Sequence, residues 1–292
     1  MITGTLLVQA IVSGLLMGGI YALVALSLAL AFGVLRVLNF AHGDLLMVGM
    51  YGAVVLHRWL GLHPYWSILV LAVPMLLLGW AMFVGLIRPV QQAGVLVQAQ
   101  MTLGVSFVIQ SAALMIFGAD LLNIRTNLEM AVLRVEGVVV SIPLAIGFAV
   151  SLLISGVLSW ALLGTDAGRR VRATAQDPDM ARLCGVDVER TQRWVFALSV
   201  ALLAGVAGCL MTFTYVVPAA GLQYSVLALL VVMLGGLGDL KGAFLGGLLI
   251  GVAEALAGVF LNSAVGPAVI YVLFGLTLLF RPRGLFGRGM EA

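Results

Sequence analysis

The chain has 292 residues, 63% of them hydrophobic and only 9% charged, with mean hydropathy +1.18. A soluble domain carries about 25% charged residues because water meets its whole surface, so this composition excludes a water-soluble globular protein. The net charge of +3 and pI near 9.1 read as an excess of loop cations on one side of a membrane rather than as a nucleic-acid surface.

A helix needs roughly 20 apolar residues to cross the bilayer core. Candidate runs in chain order are residues 4–35, 45–56, 65–87, 94–118, 141–163, 194–217, 223–237, 243–261 and 267–280. The expected fold is an all-α polytopic transmembrane bundle of about eight to nine spans, a single domain over residues 1–292. The first run exceeds one span, and the second and seventh are short. One or two broken or re-entrant helices are therefore expected, as tolerated where a helix lines a cavity. No basic stretch precedes the first apolar run, whose first charge is Arg36, so this run reads as a retained span rather than a cleaved signal.

Loop charge orients the bundle. Residues 164–193 carry Arg169, Arg170, Arg172, Arg182, Arg190 and Arg193, and the tail adds Arg281, Arg283 and Arg288. Both read as cytoplasmic. Residues 119–140 hold Arg125 and Arg134 against Asp120, Glu129 and Glu136, and read as external. The N-terminus then reads as external.

The basic loop carries its own helix signals. Asp177 is a good N-cap, Pro178 suits the first helical position, and Gly185 stands where a C-terminal glycine would. Met180, Leu183 and Cys184 share one face of this short helix. Such a face either lies on the chain's own membrane domain or headgroups, or inserts into a partner's groove. Cys184 and Cys209 lack metal-ligand spacing, and no cofactor or metal site is expected.

Within the apolar runs four polar groups stand out: Asn39, His42, Asp44 and Glu254. Ionisable side chains inside a span usually face the bundle interior. The cluster Asn39-Phe-Ala-His-Gly-Asp44 breaks a helical run, with Gly43 permitting unusual backbone angles. Asn39 and Asp44 either cap two helix ends or mark a break that lines or hinges a translocation path. Glu254 is either a buried structural hydrogen bonder or a solute contact. Gly238, Gly242 and Gly246, continued by Gly247 and Gly251, have the spacing of close helix packing. The stretch from Gly235 to Gly242 lacks the Gly-Lys-Ser/Thr of a phosphate loop. Gly43-Asp-Leu45 and Gly238-Asp-Leu240 suggest an internal repeat.

Three stretches resemble branched-chain amino acid ABC transporter permeases, in that family's order and across nearly the whole chain. Val37-Leu-Asn-Phe-Ala-His-Gly-Asp44 is similar to the signature after the family's first helix. Arg172-Ala-Thr-Ala-Gln-Asp-Pro-Asp-Met-Ala-Arg-Leu-Cys-Gly-Val-Asp187 looks like its cytoplasmic coupling loop, and Arg281-Pro-Arg-Gly-Leu-Phe-Gly287 like its tail. The match is closest to the shorter of the two permeases, and Cys184 replaces the family's usual Leu or Met. The resemblance implies a prokaryotic inner-membrane subunit importing leucine, isoleucine, valine or a related amino acid or amide. It also implies a second permease, two ATP-binding subunits and an external substrate-binding protein as partners. ATPase coupling would fall to Arg172, Ala173, Gln176, Asp177, Met180, Ala181, Leu183 and Gly185. Asn39, His42, Gly43, Asp44 and Glu254 are the candidates for path or hinge.

The alternative is an ion-coupled secondary transporter or channel using Asp44, Glu254 or His42. A self-contained carrier has no evident need for a docking helix. An intramembrane enzyme is disfavoured, because His42, His57 and His63 show no arrangement with a nucleophile.

Overall fold

A computed structural model describes residues 2–126, 131–135, 138–261, 266–281 and 284–286. Glu129, Glu136, Pro282, Arg283, Gly287 and Arg288, all read above, lie outside the described residues. Six described helices are long and apolar enough to cross a membrane, and the chain is a helical bundle as the composition requires.

The long first run is one helix, α1 (Ile2–Leu35), the buried centre of the bundle. After residues 36–41 follow α2 (His42–Leu60) and α3 (Pro64–Met82). A π turn, Phe83–Ile87, extends α3 into the short α4 (Arg88–Val90). His63 caps the start of α3, and burial with His57 nearby holds its imidazole below the usual range. Next come α5 (Val95–Phe117) and the strands β1 (Val132–Val135) and β2 (Val138–Ser141), which form an antiparallel hairpin the sequence reading did not anticipate. The chain continues through α6 (Ile142–Gly164), α7 (Asp166–Gln176), α8 (Pro178–Leu183) and α9 (Val188–Leu210). It ends with α10 (Ala220–Gly235), α11 (Leu240–Phe260) and α12 (Gly266–Phe280).

Two expected boundaries move. The run expected over 194–217 is helical from Val188 to Leu210, because the Asp187 side chain accepts from the Arg190 amide at 2.9 Å and starts the helix early. Residues 211–219 are not helical, and Val216 pairs instead with Leu122. The basic loop contains a full helix, α7, that was not expected; Thr165 caps it by accepting from the Gly168 amide at 3.1 Å.

α1 and α11 lie antiparallel and very close. Gly14 faces Val252, Gly18 faces Leu248, and Ala22 meets Gly247, so a side chain at Gly247 or Gly251 would strike the backbone of α1. Gly242 and Gly246 instead meet α10 at Gly235 and Val231. The glycine ladder thus packs two neighbouring faces of one helix, as its spacing predicts.

The ends of the bundle are set by α1. Near its start, the Gln9 side chain bonds both the carbonyl and the amide of Val139 at 2.7 Å, beside the hairpin. At its finish, Arg36 reaches the carbonyls of Ala175 and Gln176 at 3.4 Å, beside the basic loop. The N-terminus and the basic loop therefore occupy opposite ends.

The proposed repeat tripeptides are not locally equivalent. Asp44 lies inside the first turn of α2, whereas Asp239 is the cap of α11 and accepts from the Lys241 amide at 2.9 Å. The geometric pairing is between α2 and α10, described next.

Candidate functional site

Ser27 lies eight residues before the end of α1, about 12 Å inside the bundle at the helical rise. His42 Nε2 is 2.7 Å from Ser27 Oγ. The Ser27 hydroxyl also donates to the Val24 carbonyl at 2.7 Å, so it accepts from His42. α2 therefore begins well inside the bundle, after residues 36–41 have turned back from the end of α1.

α10 begins at the same depth from the opposite direction, and the two N-termini meet. A Cβ on Gly43 would collide with the Gly221 carbonyl oxygen and the Ser225 amide, and one on Gly221 would collide with Asp44. Neither helix is capped by a side chain at its own N-cap residue, Ala41 or Ala219. First-turn amides need partners, and the junction supplies one across helices: Ser225 Oγ accepts from Gly43 N at 2.7 Å and donates to the Phe40 carbonyl at 2.6 Å. Asp44 lies against the start of α10 as well as in the first turn of α2, where partial positive charge favours a carboxylate.

α5 supplies the third side. Gln110 Nε2 donates to Asp44 Oδ1 at 2.9 Å and to Ser106 Oγ at 3.0 Å. Thr102 Oγ1 accepts from the Phe40 amide at 3.3 Å and lies 3.3 Å from the Leu38 carbonyl. Asn39 Oδ1 accepts from the Ala41 amide at 3.1 Å. Asn39, His42 and Asp44 are almost wholly buried, yet Asn39 Nδ2, His42 Nδ1 and Asp44 Oδ2 lack partners. Unpaired buried polar atoms cost about 1–3 kcal/mol each, and three of them fall within the six residues from Asn39 to Asp44.

Asn39, His42, Gly43 and Asp44 are thus brought together, and Asn39 and Asp44 are not membrane-face caps. Glu254 stands apart on α11, near the Tyr21 hydroxyl of α1. Ser27, Ser225, Gly221, Arg36 and the polar face of α5 escaped the sequence reading. Only the last had a legible signal, polar residues four apart in an apolar helix.

The residues that the resemblance assigns to ATPase coupling divide between two helices. Arg172, Ala173 and Gln176 lie on α7, and Asp177 caps α8 by accepting from the amides of Asp179 and Met180 at 2.9 and 3.0 Å. α8 closes as expected: Gly185 takes φ +82°, its amide donates to Arg182, and Val186 donates to Ala181. Ala181 is buried, while Met180 and Leu183 are 61% and 81% exposed, with Cys184 exposed beside them. The apolar face therefore does not lie on the chain's own membrane helices. Next to α8, a cleft of about 530 Å³ runs between Arg88, Gln91, Arg182 and Glu189.

A bundle with two helices that start inside it, facing each other, and an exposed apolar turn at one end has the architecture of a membrane transport subunit. Residues 10–281 match the family model for the permease component of branched-chain amino acid transport systems, and the chain belongs to that family. It is similar to the high-affinity branched-chain amino acid transport system permease protein BraD of Pseudomonas aeruginosa, 31% identical over 96% of this chain and 95% of the relative. LivH of Escherichia coli K12 is 29% identical over the same shares. A LivH protein of Methanocaldococcus jannaschii is 32% identical over 91% of this chain and 88% of its own. No solved structure matches the chain.

Proposed function

We propose that this chain is the shorter permease subunit of an ABC importer, carrying leucine, isoleucine, valine or closely related small amino acids into a prokaryotic cell. Its permease domain runs over residues 1–292, with residues 164–193 as the coupling loop. The basic end faces the cytoplasm, which puts the C-terminus inside and the N-terminus outside, in keeping with the loop charges. One of two separate ATPase subunits docks on α7 and α8, a second permease completes the membrane unit, and an external binding protein delivers the solute.

The observation that carries this reading is the exposed apolar turn Met180–Leu183 at the foot of a helix tied to the buried junction. Arg36 meets the last carbonyls of α7, and eight residues further along the chain is Asp44. ATP-driven closure of the ATPase pair moves α8. The motion passes through α7 and Arg36 to residues 36–41, which act as the hinge. The α2 and α10 starts then separate on one side or the other, a two-state exchange biased by binding in another chain. An ion-coupled carrier would leave this exposed turn without a purpose.

The test is purification of the tagged chain from native membranes in mild detergent, followed by leucine uptake in vesicles. Recovery of ATPase subunits and a second permease, with uptake that needs ATP, is expected. Recovery of the chain alone with gradient-driven uptake would overturn the proposal.

A further inference from the structure

α5 is exposed along most of its length, and Phe107, Val108, Leu114, Met115 and Ile116 all face outward. Its covered face carries Gln98, Thr102, Ser106 and, half-buried, Gln110, each four residues from the last, flanked by the covered apolar side chains of Met101, Val105, Ile109 and Ala113. Four polar side chains at this spacing form a line about 18 Å long. At one end Gln98 bonds the carbonyls of Gln91 and Ala93, close to the docking end. In the middle Thr102 lies against Leu38 and Phe40, and at the other end Gln110 reaches Asp44. The line therefore follows the hinge segment from the basic end to the buried junction.

Simple packing of α5 would be served better by apolar or small residues, since buried hydroxyls and amides must all find partners. Each of the four has a partner, while Asp44 Oδ2 and Asn39 Nδ2 in the segment that contacts this face stay unpaired. A continuous polar line along the covered face of a helix that is otherwise exposed is what a surface needs if it meets water in another conformation.

We infer that the Gln98–Thr102–Ser106–Gln110 face of α5 and the Asn39–Asp44 segment are the two walls of the solute path, closed on each other in this structure. Parting of the Gln110–Asp44 hydrogen bond opens it, and hydrated polar groups then replace the contacts each wall makes with the other. The path takes a small solute with polar ends, which exchanges hydrogen bonds with successive rungs. This rests on the transport reading above.

The experiment uses the assembled transporter in membrane vesicles, with Cys184 and Cys209 replaced by Ala. Thr102→Cys and Ser106→Cys are treated with a membrane-impermeant thiosulfonate, with Phe107→Cys and Val108→Cys, on the opposite, apolar face of α5, as controls. Both rung cysteines should react, at rates differing several-fold between nucleotide-free and vanadate-trapped complexes, and reaction should remove at least nine-tenths of leucine uptake. The controls should stay unreactive. Rung cysteines that never react while uptake is normal, or that react without loss of uptake, would overturn the inference. Should Ser106→Cys fail to assemble, Thr102→Cys gives the same reading one turn away. Failure of any ATPase to co-purify sinks the transport proposal instead, whereas an assembled, active complex with a dry α5 face sinks only this one.

Discussion

Ser225 Oγ and the Gly43 amide, 182 residues apart in sequence, are joined by a 2.7 Å hydrogen bond inside the bundle. The same hydroxyl donates to Phe40, so one side chain holds the start of α2 to α10. Ser225→Ala leaves one donor and one acceptor unpaired. A loss of about 1–3 kcal/mol is expected, read as a lower thermal midpoint in detergent. Gly43→Ala should be worse, because its Cβ collides with the Gly221 carbonyl; little folded protein should be recovered.

The α1–α11 contact depends on the missing side chains of Gly247 and Gly251. Gly251→Leu should separate the helices and strongly reduce the yield of folded chain in size-exclusion chromatography. Gly156 on α6 has open space around it, and Gly156→Leu should behave as the parent does.

Leu183→Asp puts charge on the exposed face of α8 and removes nothing the chain's own fold uses. ATP-driven uptake should fall to background while the thermal midpoint stays within a degree or two. Normal uptake in this variant would mean that the face is not the joint. Asp177→Ala should act differently, costing about 1 kcal/mol of helix stability by removing the cap and lowering uptake only in part.

Glu254 lies near the Tyr21 hydroxyl across the α1–α11 contact. Glu254→Gln keeps an acceptor, so uptake should fall less than tenfold, and Tyr21→Phe should resemble it. Complete loss in Glu254→Gln with normal expression would move that residue into the path.

Much of this was legible from residues alone because lipid imposes simple demands. Apolar length marked the helices, Arg clustering marked one end, and the Asp177, Pro178 and Gly185 spacing marked α8 to its last turn. These are local rules, and neighbouring residues satisfy them without reference to the rest of the chain. Asn39 and Asp44 were legible as polar groups in a break, with burial inside the bundle one of two open readings.

What the sequence by itself determined, then, is the class of environment, most of the apolar helices and the α8 turn. Tertiary structure alone decided that α2 and α10 start face to face, that Ser225 caps across helices, and that Glu254 lies near Tyr21. It also decided which face of α5 is covered. The physical reason is that a buried donor accepts any well-placed acceptor, however distant in the chain. Only the packing of α1 against α11 and α9, which sets where residues 36–41 turn back, says which one lies within reach.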